Sequence, residues 1–281
     1  MRERPCGLSR FLFSPCIRPR SFQGKEQFIT EILDNAIPWY IIHRMLKHLT
    51  AFLQLGLFHP ALLLLAWRVK RRKKTYLTYG KLYSLASSFK NLKKHSPDLL
   101  EVSEFGVGRG GSAMLLAWLV GHYGGRLTLF DVFGRIPPPT EKDGQRAFDR
   151  YQVILSHENE TYYGNIPDLI DLIKAEISTV CDLSQVKFIQ GKYDEILPLI
   201  TSNQAFNLVH IDCDWYESSK AVFNYLENHL HPGAILQVDD YSNWQGSHMA
   251  VDEAKWLIPA YFKLVDGALV VELESMPTKV N

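Results

Sequence analysis

The 281-residue chain is poor in cysteine, with four residues, Cys6, Cys16, Cys181 and Cys213, that form no C-x-x-C pair and show no zinc-ligand spacing. They are too few and too scattered for a disulfide scaffold and fit a reducing cytosol. Net charge is also scarce. With 31 Lys and Arg against 30 Asp and Glu, the chain carries +1, so it has no general attraction for nucleic acid, and no nucleic-acid partner is expected. There is no internal repeat and no low-complexity tract. No apolar run is both long and unbroken: Leu49 to Trp67 approaches the ~20 residues of a spanning helix, but Gln54, Gly56 and His59-Pro60 interrupt it. What remains is an ordinary globular composition, 46% hydrophobic, at a length that suits one large α/β domain with an accessory segment.

Within that composition, acidic residues are concentrated in two places. Phe206-Asn207-Leu208-Val209-His210-Ile211 runs into Asp212-Cys213-Asp214, and Ala234-Ile235-Leu236-Gln237-Val238 runs into Asp239-Asp240. Each is a short apolar run of buried-strand character that stops at carboxylates. Between them, Ser218 to His231 is of helix length and Pro232-Gly233 closes it, giving a strand–helix–strand unit. In a parallel sheet this brings both clusters to the carboxyl ends of neighbouring strands, where open α/β sheets bind ligands. Carboxylates so placed repel one another unless protons or a cation intervene, and the oxygen-rich set Asp212, Asp239 and Asp240 suits a hard divalent ion such as Mg²⁺. Capping of the following helices is the competing reading for any single Asp.

Residues 1–25 read as a disordered basic extension, with Arg2, Arg4, Arg10, Arg18 and Arg20 interleaved with helix-breaking Pro5, Pro15 and Pro19; a transit peptide is the alternative. Residues 26–95 form an N-terminal helical segment that is partly apolar. In it Ile41, Ile42, Met45, Leu46, Leu49, Phe52, Leu53 and Leu57 recur at helical spacing. The apolar Ala61–Trp67 follows, then the basic run Arg68–Lys74. Residues 41–75 therefore pack on the catalytic domain or a second subunit, lie on a membrane surface, or span a membrane. A homo-oligomer and a cytoplasmic location, peripheral to the inner membrane surface if the second reading applies, are the matching expectations.

From residue 96 to 281 strands and helices alternate. Strands are expected near 99–105, 126–131, 186–190, 206–212 and 234–239, and helices near 111–122, 166–180, 216–230 and 248–258. A last pair of strands, 261–266 and 268–273, turns at Asp266-Gly267. The fold class is α/β: a doubly wound, mostly parallel sheet with an antiparallel C-terminal hairpin and N-terminal helices. The first strand leads into Gly106-Val107-Gly108-Arg109-Gly110-Gly111-Ser112, a glycine loop before a helix. Nicotinamide, flavin and S-adenosylmethionine sites all use such loops. Glu104, just ahead of the loop, could accept from a cationic amino-acid group where a pyrophosphate would be repelled. Asp131, at the end of the second strand, is placed for ribose hydroxyls. Together with the Asp212/Asp239/Asp240 set, Glu104 favours S-adenosylmethionine and metal-dependent methyl transfer. A nicotinamide-dependent oxidoreductase and an inactive, membrane-apposed binding module remain the alternatives.

Several stretches, in order, resemble the macrocin O-methyltransferase family. They are Glu104–Ser112, Asp131–Gly144, Val186–Gly191, His210–Ser218, Val238–Tyr241 and Ala250–Glu253. One departure is Gly134-Arg135, where the family usually has an acidic residue and Gly. The resemblance implies a Rossmann-like class I methyltransferase using S-adenosylmethionine and Mg²⁺ on a hydroxyl of a sugar-containing small molecule. By that resemblance the cofactor lies against Glu104, Gly106, Gly108, Gly111, Ser112, Asp131, Gln190, Gly191 and Asp212, and the metal is held by Asp212, Asp239 and Asp240. Asp214 is the candidate general base, on Asp212's face if the strand stays regular there. His210 is expected to be a packed core residue and His248 a weak candidate for the acceptor site.

Overall fold

The computed structural model describes residues 39–95, 98–156, 163–201, 204–258 and 260–274. The extension expected over 1–25 lies outside them. The chain divides into two compact units, Met1–Leu46 and Lys47–Asn281. Of the first, only the start of a helix, from Trp39, is described. The fold that follows is that of the second, within which the boundary expected near residue 95 falls.

Three helices precede the sheet: α1 (Trp39–Phe58), α2 (Pro60–Arg71) and α3 (Tyr79–His95). The break between α1 and α2 falls at His59-Pro60, as the sequence suggests. His59 Nδ1 accepts the Ala61 N–H at 3.2 Å and Pro60 takes the first helical position, where its missing N–H costs nothing. Among the described residues, no helix is long and apolar enough to cross a membrane.

A seven-stranded sheet follows, with β1 (Leu100–Phe105), β2 (Gly125–Asp131), β3 (Val186–Gln190), β4 (Phe206–Ile211), β5 (Leu230–Val238), β6 (Ala260–Val265) and β7 (Ala268–Leu273). Their order is β3-β2-β1-β4-β5-β7-β6. The first five strands are parallel, while β7 runs antiparallel to β5 and to β6. The chain winds outward from β1 to β3, returns to β4, and winds the other way. The crevice at the carboxyl ends of β1 and β4 is thus the switch point where such sheets bind ligands. The intervening helices are α4 (Gly111–Tyr123), α5 (Gln145–Leu155), α6 (Leu169–Ile177), α7 (Tyr193–Ile196), α8 (Tyr216–Leu226) and α9 (Gln245–Glu253).

Alternation along the strands divides the core into two layers. Leu100, Val102, Leu208, Ile235 and Val270 join a cluster with Leu55, Leu62, Leu65, Leu82 and Phe89 of the N-terminal helices. Phe105, Val209, Ile211, Leu236, Val238 and Val271 face the other way, toward Tyr216, Phe223 and Ala250. Three departures from the sequence reading have local causes. Pro232-Gly233 does not close a helix but lies inside β5, where a register shift between Phe206 and Leu208 accommodates it. Helix α5, QRAFDRYQVIL, was not anticipated; it mixes polar and apolar residues and buries only Ala147 and Ile154. The helix expected near 248–258 starts and ends earlier, at Gln245–Glu253.

Candidate active site

The glycine loop is shaped by what lies under it. Gly106 has φ +91°, and a Cβ there would overlap the main-chain oxygen of Asp212, so the tight passage from β1 past β4 requires glycine. Asp131 then holds the loop. Its Oδ2 accepts the N–H of Val107 at 2.6 Å and of Gly108 at 3.0 Å, and its Oδ1 accepts Phe133 N–H at 2.7 Å. Burial pushes this carboxyl up from its ordinary value, and the three backbone hydrogen bonds oppose the rise. The sequence placed Asp131 for ribose; the structure shows it first as the clamp of the loop. Gly111 is constrained differently. Its N–H donates to the Lys74 carbonyl at 3.1 Å, and a Cβ would come within 2.7 Å of that oxygen and of Thr75 Cβ.

The two acidic clusters meet. Asp212, Asp239 and Asp240 each place one carboxylate oxygen within 4.8 Å of the others. Asp214 joins them, though not by strand alternation. Strand β4 ends at Ile211, and Asp214 adopts a left-handed φ of 58°, so a turn brings its side chain to the group. Burial raises Asp212 and Asp214 well above the usual carboxylate range, and next come the charges of Asp239, Asp240 and Asp214 on Asp212, and of Asp240 on Asp214. Asp240 is raised by burial and then by Asp239, against the opposing charge of Lys81. Lys81, on α3, is the cation of the group. Its Nζ donates to Asp239 Oδ2 at 2.8 Å and to the Asp239 main-chain oxygen at 3.1 Å, with both side chains almost fully buried (6% and 7% exposed). Asp239 Oδ1 and Asp240 Oδ2 are buried without a hydrogen-bond partner.

Two cavities open on these residues. One, of about 250 Å³, is bounded by the glycine loop from Gly106 to Arg109 with Ser112, by Lys81 and the four aspartates, and by Trp215 and Trp244. The other, of about 450 Å³, runs along Asp131, Val132, Tyr193 and the start of α8. They share Gly106, Ile136, Asp212 and Asp214.

Of the sequence-derived residues, Gly106, Gly108, Ser112, Asp131, Asp212, Asp214, Asp239 and Asp240 therefore line one cavity or both. Glu104 lines neither. It is fully buried in β1, with Oε1 2.8 Å from His210 Nδ1 on β4 and Oε2 without a partner. His210 is thus the packed core residue expected. Gln190 and Gly191 also lie off the cavity walls, which their neighbours Lys192–Asp194 form instead. Gly191 N–H donates to the Asp131 carbonyl, and Gln190 Nε2 to the Val132 carbonyl. His248 is exposed, stacked on Tyr241 with ring centroids 4.3 Å apart, and lines neither cavity.

Arg109 lines the cavity from within the glycine loop, whereas no motif marked Lys81, Tyr76, Arg150 or Trp244 as cavity residues. Only Trp244 had a signal within reach, four residues past Asp240. The loop from 132 to 144 is tied down by Asp143, whose Oδ1 accepts the first N–H of α8, Tyr216, at 2.6 Å and whose Oδ2 accepts Thr140 N–H at 2.7 Å. The Trp215 indole N–H donates to the Pro137 carbonyl at 3.0 Å. At the family departure, Arg135 donates to Asn165 Oδ1 at 3.0 Å.

Residues 97–268 match the family described as Macrocin-O-methyltransferase (TylF). The chain belongs to the macrocin O-methyltransferase family. It is accordingly an S-adenosylmethionine-dependent O-methyltransferase, which displaces the nicotinamide and inactive-module readings. Among solved structures, the O-methyltransferase NovP is similar, with a TM-score of 0.59 and 21% identity over 72% of this chain and 82% of that one. The calicheamicin methyltransferase CalS11 is similar with a TM-score of 0.55 and 18% identity, over 96% of this chain and 99% of that one. At these identities the likeness shows the class I methyltransferase fold. Sequence comparison with curated proteins gives no match.

Proposed function

We propose that the enzyme transfers the methyl group of S-adenosylmethionine to a hydroxyl of a glycosylated small molecule, with Mg²⁺ held by Asp212, Asp239 and Asp240 and with Asp214 as general base. The observation that carries this reading is that Asp212 and Asp214 lie where two cavities meet, one walled by Asp131 and one by the remaining carboxylates. Methyl transfer is an in-line displacement, so donor and acceptor must approach from opposite sides of one point. The calicheamicin methyltransferase, matched over almost the whole chain, supports an acceptor of the natural-product kind.

The residues fit a divalent ion. Asp239 Oδ1 and Asp240 Oδ2 are buried acceptors with nothing to accept, a state tolerated only where a donor or cation completes them. With Lys81 neutralising one of the three ligand carboxylates, the set has net charge −2, the complement of a divalent cation. Bound there, Mg²⁺ would lower the pKa of an acceptor hydroxyl and fix its oxygen. The protein's own contribution is positional. The glycine loop, held by Asp131, presents backbone to the donor. Asp214, where the two cavities meet, takes the hydroxyl proton.

Calorimetry with S-adenosylmethionine and with NADPH, followed by a glycoside acceptor screen with and without chelator, tests the reading. Binding of S-adenosylmethionine alone and turnover that stops on chelation are expected. A metal-free preparation that methylates at an undiminished rate would reduce the acidic set to a structural role.

A further inference from the structure

Beyond the methyl-transfer site, the N-terminal helices present a surface that the proposed reaction does not use. From Lys47 to Pro97 the sequence has eleven Lys and Arg and no Asp or Glu, so the rest of a chain of net charge +1 carries the compensating negative charge. In the same stretch, large apolar side chains stand exposed on the outward faces of α1 and α2. Leu49, Leu53 and Leu57 follow one another at four-residue spacing opposite the buried Ala51 and Leu55, and Leu57 is 88% exposed. On α2, Leu64 (66% exposed) and Trp67 stand outward opposite buried Leu62, Leu65 and Val69. The Trp67 ring has the Arg71 guanidinium 5.1 Å from its centroid. The basic run then continues through Arg72 and Lys73, both exposed. Two other cations of the run have partners in the fold: Lys70 donates to the Leu77 carbonyl and Lys74 pairs with Glu176.

Exposed leucines on α1, then an exposed leucine, an aromatic residue and cations on α2, are the composition of helices lying in a bilayer interface: apolar side chains enter the acyl boundary, and Trp and Arg sit at the headgroups. The charge selects among occupants. A second copy meeting this face would bring two acid-free, cationic segments together, at an electrostatic cost. A nucleic acid would satisfy the cations and leave the leucines without a role. We infer that the α1–α2 face docks on an anionic lipid surface, through Leu49, Leu53, Leu57, Leu64 and Trp67 with Arg68, Arg71, Arg72 and Lys73 at the headgroups.

The test is co-sedimentation of the full chain with phosphatidylcholine vesicles and with vesicles containing about one-third phosphatidylglycerol, at low and high salt. Binding to the anionic vesicles alone, weakened by salt, is expected. A basic residue at such a surface contributes roughly a fivefold gain in affinity. Arg71→Glu with Arg72→Glu should therefore weaken binding by more than about thirtyfold. Leu53→Ser with Leu57→Ser should weaken it at least tenfold while leaving S-adenosylmethionine binding intact, which shows that the fold is retained. Equal binding to neutral and anionic vesicles would overturn the inference. So would vesicle indifference in a dimer that the leucine variant dissociates, which would assign the face to a second copy. Binding of single-stranded RNA unaffected by the leucine variant, without vesicle binding, would assign it to nucleic acid.

Discussion

Replacing Lys81 by Met tests the architecture of the acidic site at its only buried cation among the described residues. Methionine keeps an unbranched side chain of similar length and removes the ammonium group that holds both the carboxylate and the main-chain oxygen of Asp239. Both partners are more than nine-tenths buried, so solvent cannot replace the lost ion. Removing one partner of such a pair costs about 3–5 kcal/mol. At about 2–4 °C per kcal/mol for a domain of this size, the ion-free variant should melt roughly 10 °C below the parent. A cluster stripped of its cation binds protons more tightly in the folded state, so the deficit should be larger at about pH 8 than at about pH 5. Saturating Mg²⁺ should raise the melting temperature of the variant more than that of the parent, because it relieves more repulsion. Differential scanning fluorimetry at two pH values, with and without Mg²⁺, measures all of this. If the ion-free variant melts within about 2 °C of the parent, the Lys81–Asp239 pair does not hold the cluster. Equal Mg²⁺ shifts in the two proteins would remove the ion from the argument.

Other predictions concern single groups in the same site. Asp214→Asn should lower kcat by roughly 10²–10⁴-fold with S-adenosylmethionine affinity nearly unchanged, as steady-state kinetics and calorimetry would show. The raised proton affinities of Asp212, Asp214 and Asp240 favour the folded state below the ordinary carboxylate value. That stability is lost as pH rises through the raised values, so the ion-free melting temperature should fall as pH climbs above the ordinary carboxylate range, and Mg²⁺ should stabilise more at higher pH. Gly106→Ala should abolish S-adenosylmethionine binding in calorimetry, because the methyl group overlaps the Asp212 carbonyl and φ is left-handed.

The parts of this fold that were legible in the sequence are those where a local pattern has one physical meaning. An apolar run that stops at a carboxylate marks a buried strand reaching a ligand-binding edge, and β4 and β5 end at Ile211 and Val238 accordingly. The Asp266-Gly267 hairpin was equally plain. Asp214 was placed in the right cluster for an incomplete reason: its position comes from a left-handed turn, and φ is not written in residue type. Asp131 looked like a ligand contact because strand-end carboxylates often are, yet its oxygens accept three backbone N–H groups. Lys81 could not be read at all, since 158 residues separate it from Asp239 and nothing in its own helix sets it apart from the neighbouring lysines.

The close approach of Gly111 to Lys74 and Thr75 separates two kinds of change during divergence. Lys74, Thr75, Tyr76 and Lys81 contribute to the cavity of about 250 Å³ and not to the one beside Asp131. Substitutions at residues 74–76 therefore reshape that cavity while the clamp that Asp131 places on the glycine loop stays in place. Side chains can thus drift in a stretch that precedes the glycine loop without disturbing it. The limit to that drift is Gly111: the chain entering over it must keep its backbone within hydrogen-bonding distance, whatever side chains it carries.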